Sequence, residues 1–287
     1  MLINMKEMLG VADKNGFAVG AFNATESSLF RSVVEEAEKQ NAPAIIQVAP
    51  GEFDFATREF YSYVRERLAN SKVPFVLHLD HGKTVEECMR AIQAGFTSVM
   101  LDGSRLSFEE NAAITRQMVD LAHMVNVSVE GELGTIGAVS NSDEGGVENV
   151  IYTNPEEVVE FVSKTGVDCL AVAIGTAHGI YPKGFVPKLQ LDLLKEIKNV
   201  SSVPLVLHGG SNNSDEEIKK ACHIGIAKVN ISSDFKYAFF KKVNEVIEET
   251  GGFIPAKVFT PGIEAAKQVI FEKMQLFGSL DRAGLYH

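Results

Sequence analysis

Eight short runs rich in β-branched and apolar residues recur along the chain, and an amphipathic stretch follows each one. The runs are 17–22, 44–49, 73–79, 98–101, 127–132, 169–174, 204–207 and 227–231. Between them apolar residues return every three or four positions, as in Leu29, Val33, Val34 and Ala37 or Ile114, Met118, Leu121 and Val125. That spacing predicts helices with one buried face. Strand starts every roughly 25–40 residues suit βα units. Pro43, Pro74 and Pro204 stand just ahead of strands, where a missing N–H is tolerated. Eight such units in 287 residues, with no break in composition, predict one α/β domain over 1–287, a (β/α)8 barrel. The rival is an open doubly wound sheet, which would normally carry a GxGxxG turn after its first strand; none is present. Two segments depart from the rhythm. Gly134–Asn149 is polar, acidic and glycine-rich and reads as a loop, and Ile263–Phe277 reads as an extra C-terminal helix packing on the barrel or on a partner subunit.

Charge and cysteine usage narrow the function. With 27 Lys and Arg against 38 Asp and Glu, the net charge is -11, which argues against nucleic acid as a partner. Cys88, Cys169 and Cys222 are scattered and odd in number, so neither a disulfide scaffold nor a cysteine zinc site is expected. No apolar run approaches the roughly 18 residues of a membrane helix. The expectation is a cytoplasmic protein with no membrane partner.

In a barrel, chemistry gathers at the C-terminal ends of the strands. His81, His178 and His208 fall at three such ends, and three neutral imidazoles with an open position make a catalytic zinc site. Asp80 precedes one of them and reads as a general acid–base or as an orienting group. Adjacent strand-end residues point in different directions, so Asp80 need not bind the metal. Asp102 and Glu132 read either as a second or alternate metal position or as a network bracing the histidines. His78 reads as buried and hydrogen-bonded. Gly209-Gly210-Ser211 and Asn230-Ile231-Ser232-Ser233 follow the last two strands, where barrels commonly bind phosphate, and Lys183 adds a charge nearby. Zinc, a carboxylate and a phosphate pocket together suit chemistry beside a carbonyl.

These residues carry a resemblance. Ala21-Phe22-Asn23, Leu77-His78-Leu79-Asp80-His81-Gly82, Glu130-Gly131-Glu132-Leu133-Gly134, Ala173 through Gly179, Pro204 through Gly210, Lys228-Val229-Asn230-Ile231 and the closing Gly278 through Arg282 span nearly the whole chain. Together they resemble the class II, metal-dependent ketose-bisphosphate aldolases, which cleave fructose or tagatose 1,6-bisphosphate. The resemblance implies zinc on His81, His178 and His208, with Asp80 as acid–base. It implies a second divalent or monovalent cation, or an inactive zinc position, at Asp102 and Glu132. It places dihydroxyacetone phosphate at Asn23, Gly179, Gly209 to Ser211 and Asn230 to Ser233. Arg282 matches an arginine reaching the far phosphate from a neighbouring subunit, in a homodimer or homotetramer. The implied reaction runs through a zinc-stabilised enediolate.

Two positions depart from that pattern. Ala49 stands where family members often carry Ser or Thr near the far phosphate. No glutamate stands near Ser140, where the family places a loop base; Asp143 and Glu144 follow a few residues on, and Glu144 is the expected base. Ala49 keeps open an aldolase for a ketose 1-phosphate, and the missing loop acid keeps open a non-catalytic sugar-phosphate-binding subunit.

Overall fold

Each of Pro43, Pro74 and Pro204 lies directly before a strand, as expected, in a computed structural model that describes residues 1–135, 137–138, 151–178, 188–211 and 213–287. For 137, 138, 177 and 178 the description covers the backbone. The strands are β1 (Val19–Asn23), β2 (Ala44–Val48), β3 (Phe75–Gly82), β4 (Ser98–Leu101), β5 (Ser128–Leu133), β6 (Gly137–Ala138), β7 (Cys169–Val172), β8 (Ala177–His178), β9 (Leu205–Leu207) and β10 (Ile226–Ile231). Eight of them close into a parallel barrel in the order β1-β2-β3-β4-β5-β7-β9-β10, with β10 pairing back to β1. β6, within the expected loop, and β8, where the sequence places the end of the sixth barrel strand, form a separate two-residue ladder.

The helices are α1 (Met5–Lys14), α2 (Ser27–Lys39), α3 (Pro50–Phe53), α4 (Arg58–Ala69), α5 (Val85–Gln93), α6 (Phe108–His123), α7 (Pro155–Thr165), α8 (Leu191–Val200), α9 (Asp215–Ile224), α10 (Ser233–Thr250) and α11 (Pro255–Phe277). Short polar residues start several of them: Thr84 caps α5, Ser107 and Glu110 form a capping box on α6, and Asn154 caps α7 ahead of Pro155. The expected C-terminal helix is α11; it packs against α2, α10 and β1.

Two cores follow from the strand alternation. Outward residues such as Phe22, Ile46, Leu77, Val99, Val129, Leu170, Leu207 and Val229 pack with the surrounding helices. Inward residues at the N-terminal end, among them Val19, Ile45, Val76, Ala171 and Val206, form a second cluster with Met5, Met8, Leu9 and Ala12 of α1. The helix α1 thus plugs that end of the barrel, and its four apolar contacts at i, i+3, i+4 and i+7 are the helical signature of one buried face. Higher up, the inward positions turn polar: Gln47, His78, Ser98, Glu130 and Lys228, then Asn23, Asp80, Glu132, His208 and Asn230, all buried. Gly131 lies between two of these acids because it faces outward, where a Cβ would come within 2.8 Å of the Phe161 ring of α7.

Candidate metal centre at the C-terminal mouth

A bulge assembles the centre. β3 pairs Leu79 with Val99 and then Gly82 with Leu101, so β3 holds one residue more than β4 across this step. His81 takes a left-handed conformation, φ 55°, which is uncommon for a residue other than glycine. Asp80 and His81 therefore both turn inward, with Nε2 of His81 3.9 Å from Asp80 Oδ1. The expectation that neighbouring residues diverge here is thus corrected. Donor atoms of Asp80, His81 and His208 lie within 4.8 Å of one another, as do those of His81, Asp102 and Glu132. His81 belongs to both groups.

Three amides fix the Asp80 carboxylate. Asn23 and Gln47 donate to Oδ2 at 3.2 and 3.1 Å, and Asn230 donates to Oδ1 at 3.1 Å. Gln47 also donates to Asn23 Oδ1 at 2.7 Å, so the cradle is braced internally. Burial alone would raise this carboxyl, but the positive charges of His81 and then Lys228 hold it below the ordinary carboxylate range. The three amides donate to its oxygens and so favour the carboxylate form, which is a proton acceptor.

Carboxylates also orient both imidazoles. His81 Nδ1 is 3.1 Å from Asp102 Oδ2, and Ser104 Oγ donates to Asp102 Oδ1 at 2.6 Å. His208 Nε2 is 2.8 Å from Glu130 Oε1. Such carboxylate–histidine pairs commonly aim the other ring nitrogen at a metal. His208 Nδ1 is 3.5 Å from Glu132 Oε2. That oxygen is buried and accepts no hydrogen bond from the described residues, an expensive state for a carboxylate facing water-poor protein. Burial, then the charge of Asp102, pushes Glu132 well above its usual value. Burial would lower His81, yet Asp80, Asp102 and Glu132 push it up to about 10. The site draws in a positive charge, and its imidazole and carboxylate donors suit a divalent cation.

His178 closes β8, whose backbone pairs Ala138 with His178. Gly179, Lys183 and Glu144 lie outside the described residues. At the end of β9, Gly209 has φ 61° and Gly210 N donates to Asn230 O at 2.9 Å. Ser211 Oγ accepts from Ser232 N at 3.2 Å, which ties the two candidate phosphate turns together. Ser232 is the N-cap of α10 and Ser233 its first residue, so the positive end of an 18-residue helix opens beside Asn230. Ile231 points outward into the helix-side core and offers backbone only. Ala49 is buried and begins α3 without any side-chain cap. Arg282 is not in this group: its guanidinium lies over the Phe17 ring, 5.7 Å from the centroid, at the opposite end of β1 from Asn23.

His78 is buried and bonded to Ser98 Oγ at 2.9 Å, as expected. Burial, then Lys228, lowers it to about 3. Three further residues contribute beyond those expected at the site: Gln47, Glu130 and Lys228. Gln47 is hidden in an apolar run, and Glu130 and Lys228 look like ordinary strand charges until the barrel closes around them. Strict inward alternation from Asn230 and Glu132 would have found Lys228 and Glu130.

A closed parallel barrel with imidazoles and carboxylates buried at its C-terminal mouth defines a metal-dependent barrel enzyme. The family model described as fructose-bisphosphate aldolase class-II matches residues 3–282. A fructose-bisphosphate aldolase of Geobacillus stearothermophilus is 40% identical over 287 residues, covering 98% of this chain and 99% of that protein. One from Staphylococcus aureus strain Mu50 is 41% identical over 288 residues, with the same coverage. The crystal structure of the YdjI aldolase from Escherichia coli K12 superimposes with a TM-score of 0.85 at 32% identity, covering 99% of this chain and 100% of that one. The chain belongs to the class II fructose-bisphosphate aldolase family, whose members are metal-dependent aldehyde-lyases. No helix among the described residues is long and apolar enough to cross a membrane.

Proposed function

We propose that the chain reversibly cleaves a ketose 1,6-bisphosphate, fructose or tagatose, to dihydroxyacetone phosphate and glyceraldehyde 3-phosphate. The observation that carries this reading is the Asp80 carboxyl group held by the amides of Asn23, Gln47 and Asn230 beside His81 and His208. His81, His178 and His208 are the proposed zinc ligands, with Asp102 and Glu132 serving a second or alternate cation. Bound zinc supplies Lewis acidity to the substrate's carbonyl end. Asp80 takes the proton of the C4 hydroxyl as the carbon–carbon bond breaks and returns it in condensation. The turns at Gly209–Ser211 and Asn230–Ser233 grip the phosphate with backbone N–H groups and hydroxyls, which fixes the reacting carbons relative to Asp80. Gly179 and Lys183 belong to the same grip, and Glu144 moves the proton on the carbon beside the carbonyl.

A homodimer or homotetramer in the cytoplasm completes this reading. Arg282 of one copy lies far from its own mouth, so any role at a substrate phosphate requires a second copy. Ala49 favours one other reading, a substrate without the distal phosphate, because its buried methyl offers no hydroxyl there. A coupled assay with fructose 1,6-bisphosphate, tagatose 1,6-bisphosphate and the matching 1-phosphates separates the two. Turnover that a chelator abolishes and zinc restores is expected; chelator-resistant turnover would refute the metal reading. Glu144→Ala should slow proton exchange of dihydroxyacetone phosphate without loss of zinc, and wild-type exchange would remove Glu144 from the reaction.

A further inference from the structure

One layer below the mouth, the barrel interior holds an amine where branched apolar side chains usually fill such barrels. Lys228 is fully buried. β10 carries an extra residue between Ile226 and Lys228, so Ala227 and Lys228 both face inward. Lys228 Nζ donates to Glu130 Oε2 at 2.9 Å, and Glu130 Oε1 meets His208 Nε2 at 2.8 Å. Glu130 is itself fully buried, as is His208.

Donor and acceptor identity sets the direction of this chain. An ammonium only donates, and an ionised carboxylate only accepts. With Lys228 donating to one oxygen, the other oxygen receives, and the proton between Glu130 and His208 belongs to Nε2. A neutral imidazole with its N–H at Nε2 carries its lone pair on Nδ1, the nitrogen 3.5 Å from Glu132 Oε2. We propose that Lys228 and Glu130 are positioning residues that hold His208 in the Nε2–H tautomer, with Nδ1 presented to the cation. This rests on reading His208 as a metal ligand.

Space filling alone does not account for the pair. Replacing a buried ion pair by apolar side chains of similar volume is often neutral or stabilising. Nor do its neighbours duplicate Lys228. His78 Nε2 is 3.6 Å from Glu130 Oε2, and its other nitrogen is engaged with Ser98. Cys169 Sγ lies 3.7 Å from the same oxygen, and a thiol is a weak donor.

The test uses full-length metal-free protein labelled with ¹⁵N-histidine, plus zinc affinity by chelator competition and the ligand-field absorption of the cobalt-loaded protein. Long-range ¹H–¹⁵N correlations identify the tautomer of His208. Wild type should show Nε2–H. In Lys228→Met, His208 should lose that single tautomer, zinc affinity should fall roughly 10–100-fold, and the cobalt spectrum should change. Leu9→Ala, at the plugged end, controls for destabilisation and should leave all three readouts unchanged. If Lys228→Met does not fold, the double variant Glu130→Gln/Lys228→Met keeps the volume without the charges and should show the same losses. A folded variant with the wild-type tautomer and wild-type zinc affinity would overturn the proposal. His208→Ala with wild-type zinc affinity would instead overturn the ligand reading beneath it, whatever the tautomer in wild type.

Discussion

Replacing Gly210 by alanine probes the phosphate grip at the place where the backbone has least room. An added Cβ would lie 2.4 Å from Val229 Cγ1 and 2.8 Å from the Asn230 carbonyl oxygen. Ordinary contact begins near 3.4 Å, so one side must retreat by about 1 Å. Val229 is fully buried against the helices, and Asn230 is tied to Asp80, so neither yields easily. The movable element is the turn itself, which then loses its bonds from Gly210 N to Asn230 O and from Ser232 N to Ser211 Oγ. Overpacking of this kind costs about 1–3 kcal/mol of stability. A misplacement of about 1 Å can cost roughly 100-fold in rate, or about 2.7 kcal/mol. We expect Gly210→Ala to fold with a lowered urea midpoint, bind inorganic phosphate as a competitive inhibitor 10–100-fold more weakly (about 1.4–2.7 kcal/mol), and lose a comparable factor in kcat/KM. Gly51→Ala, exposed and with nothing within 4 Å, is the control and should change neither. Wild-type phosphate inhibition in folded Gly210→Ala would refute the placement of the phosphate.

Further outcomes follow from other layers of the barrel. Asp80→Ala should retain zinc while cleavage falls by about 10²–10⁴-fold; a variant that fails mainly through lost zinc, measured by elemental analysis, would make Asp80 a ligand. Leu9→Ala opens a cavity in the plug and should cost about 2–5 kcal/mol in urea unfolding, with kcat of the folded enzyme unchanged; a parallel fall in kcat would contradict the separation of the two ends. The raised Glu132 gives a pH prediction for metal-free protein. Its folded form keeps the proton longer than the unfolded chain, so its stabilising contribution is full below about 4.5 and is lost as pH rises through the raised value. Urea midpoints of wild type and Glu132→Gln should converge in acid and separate as pH rises, the Gln variant being the more stable; parallel curves would refute this.

Much of the fold is legible because strand and helix periods differ and the barrel repeats them. All eight barrel strands overlap the apolar runs, and the polar strand ends converge at one mouth as the rule for parallel barrels requires. Three features escape that reading for identifiable reasons. The plug α1 precedes the first strand and so stands outside the strand-then-helix repeat, although Met5, Met8, Leu9 and Ala12 carry the helical spacing. The bulge at Asp80–His81 breaks period two by one residue, and no composition marks it. The inward acid Glu130 and amine Lys228 look like solvent-facing charges until the barrel is closed around them. Arg282 could be matched by motif but not placed, since its position depends on where the chain returns after α11.

The polar mouth and the apolar plug divide the molecule's physics. Among the described residues, Asp80, Asp102, Glu130 and Glu132 crowd one end of the barrel, and Lys228 is the one buried amine among them. Such a cluster costs stability unless positive charge accompanies it. The crowding shows in the titration of its members: the neighbouring acids push His81 up to about 10, and burial, then Asp102, pushes Glu132 well above its usual value. A divalent cation held by these residues would compete with protons for the same donors, so its affinity should rise with pH. Stability for the scaffold comes instead from the helix-side core and from the far end, where Met5, Met8 and Leu9 are wholly buried in a cluster with Val19, Ile45 and Val76. The acids can therefore stay arranged for a cation before it arrives, because the barrel around them does not depend on their own interactions to remain closed.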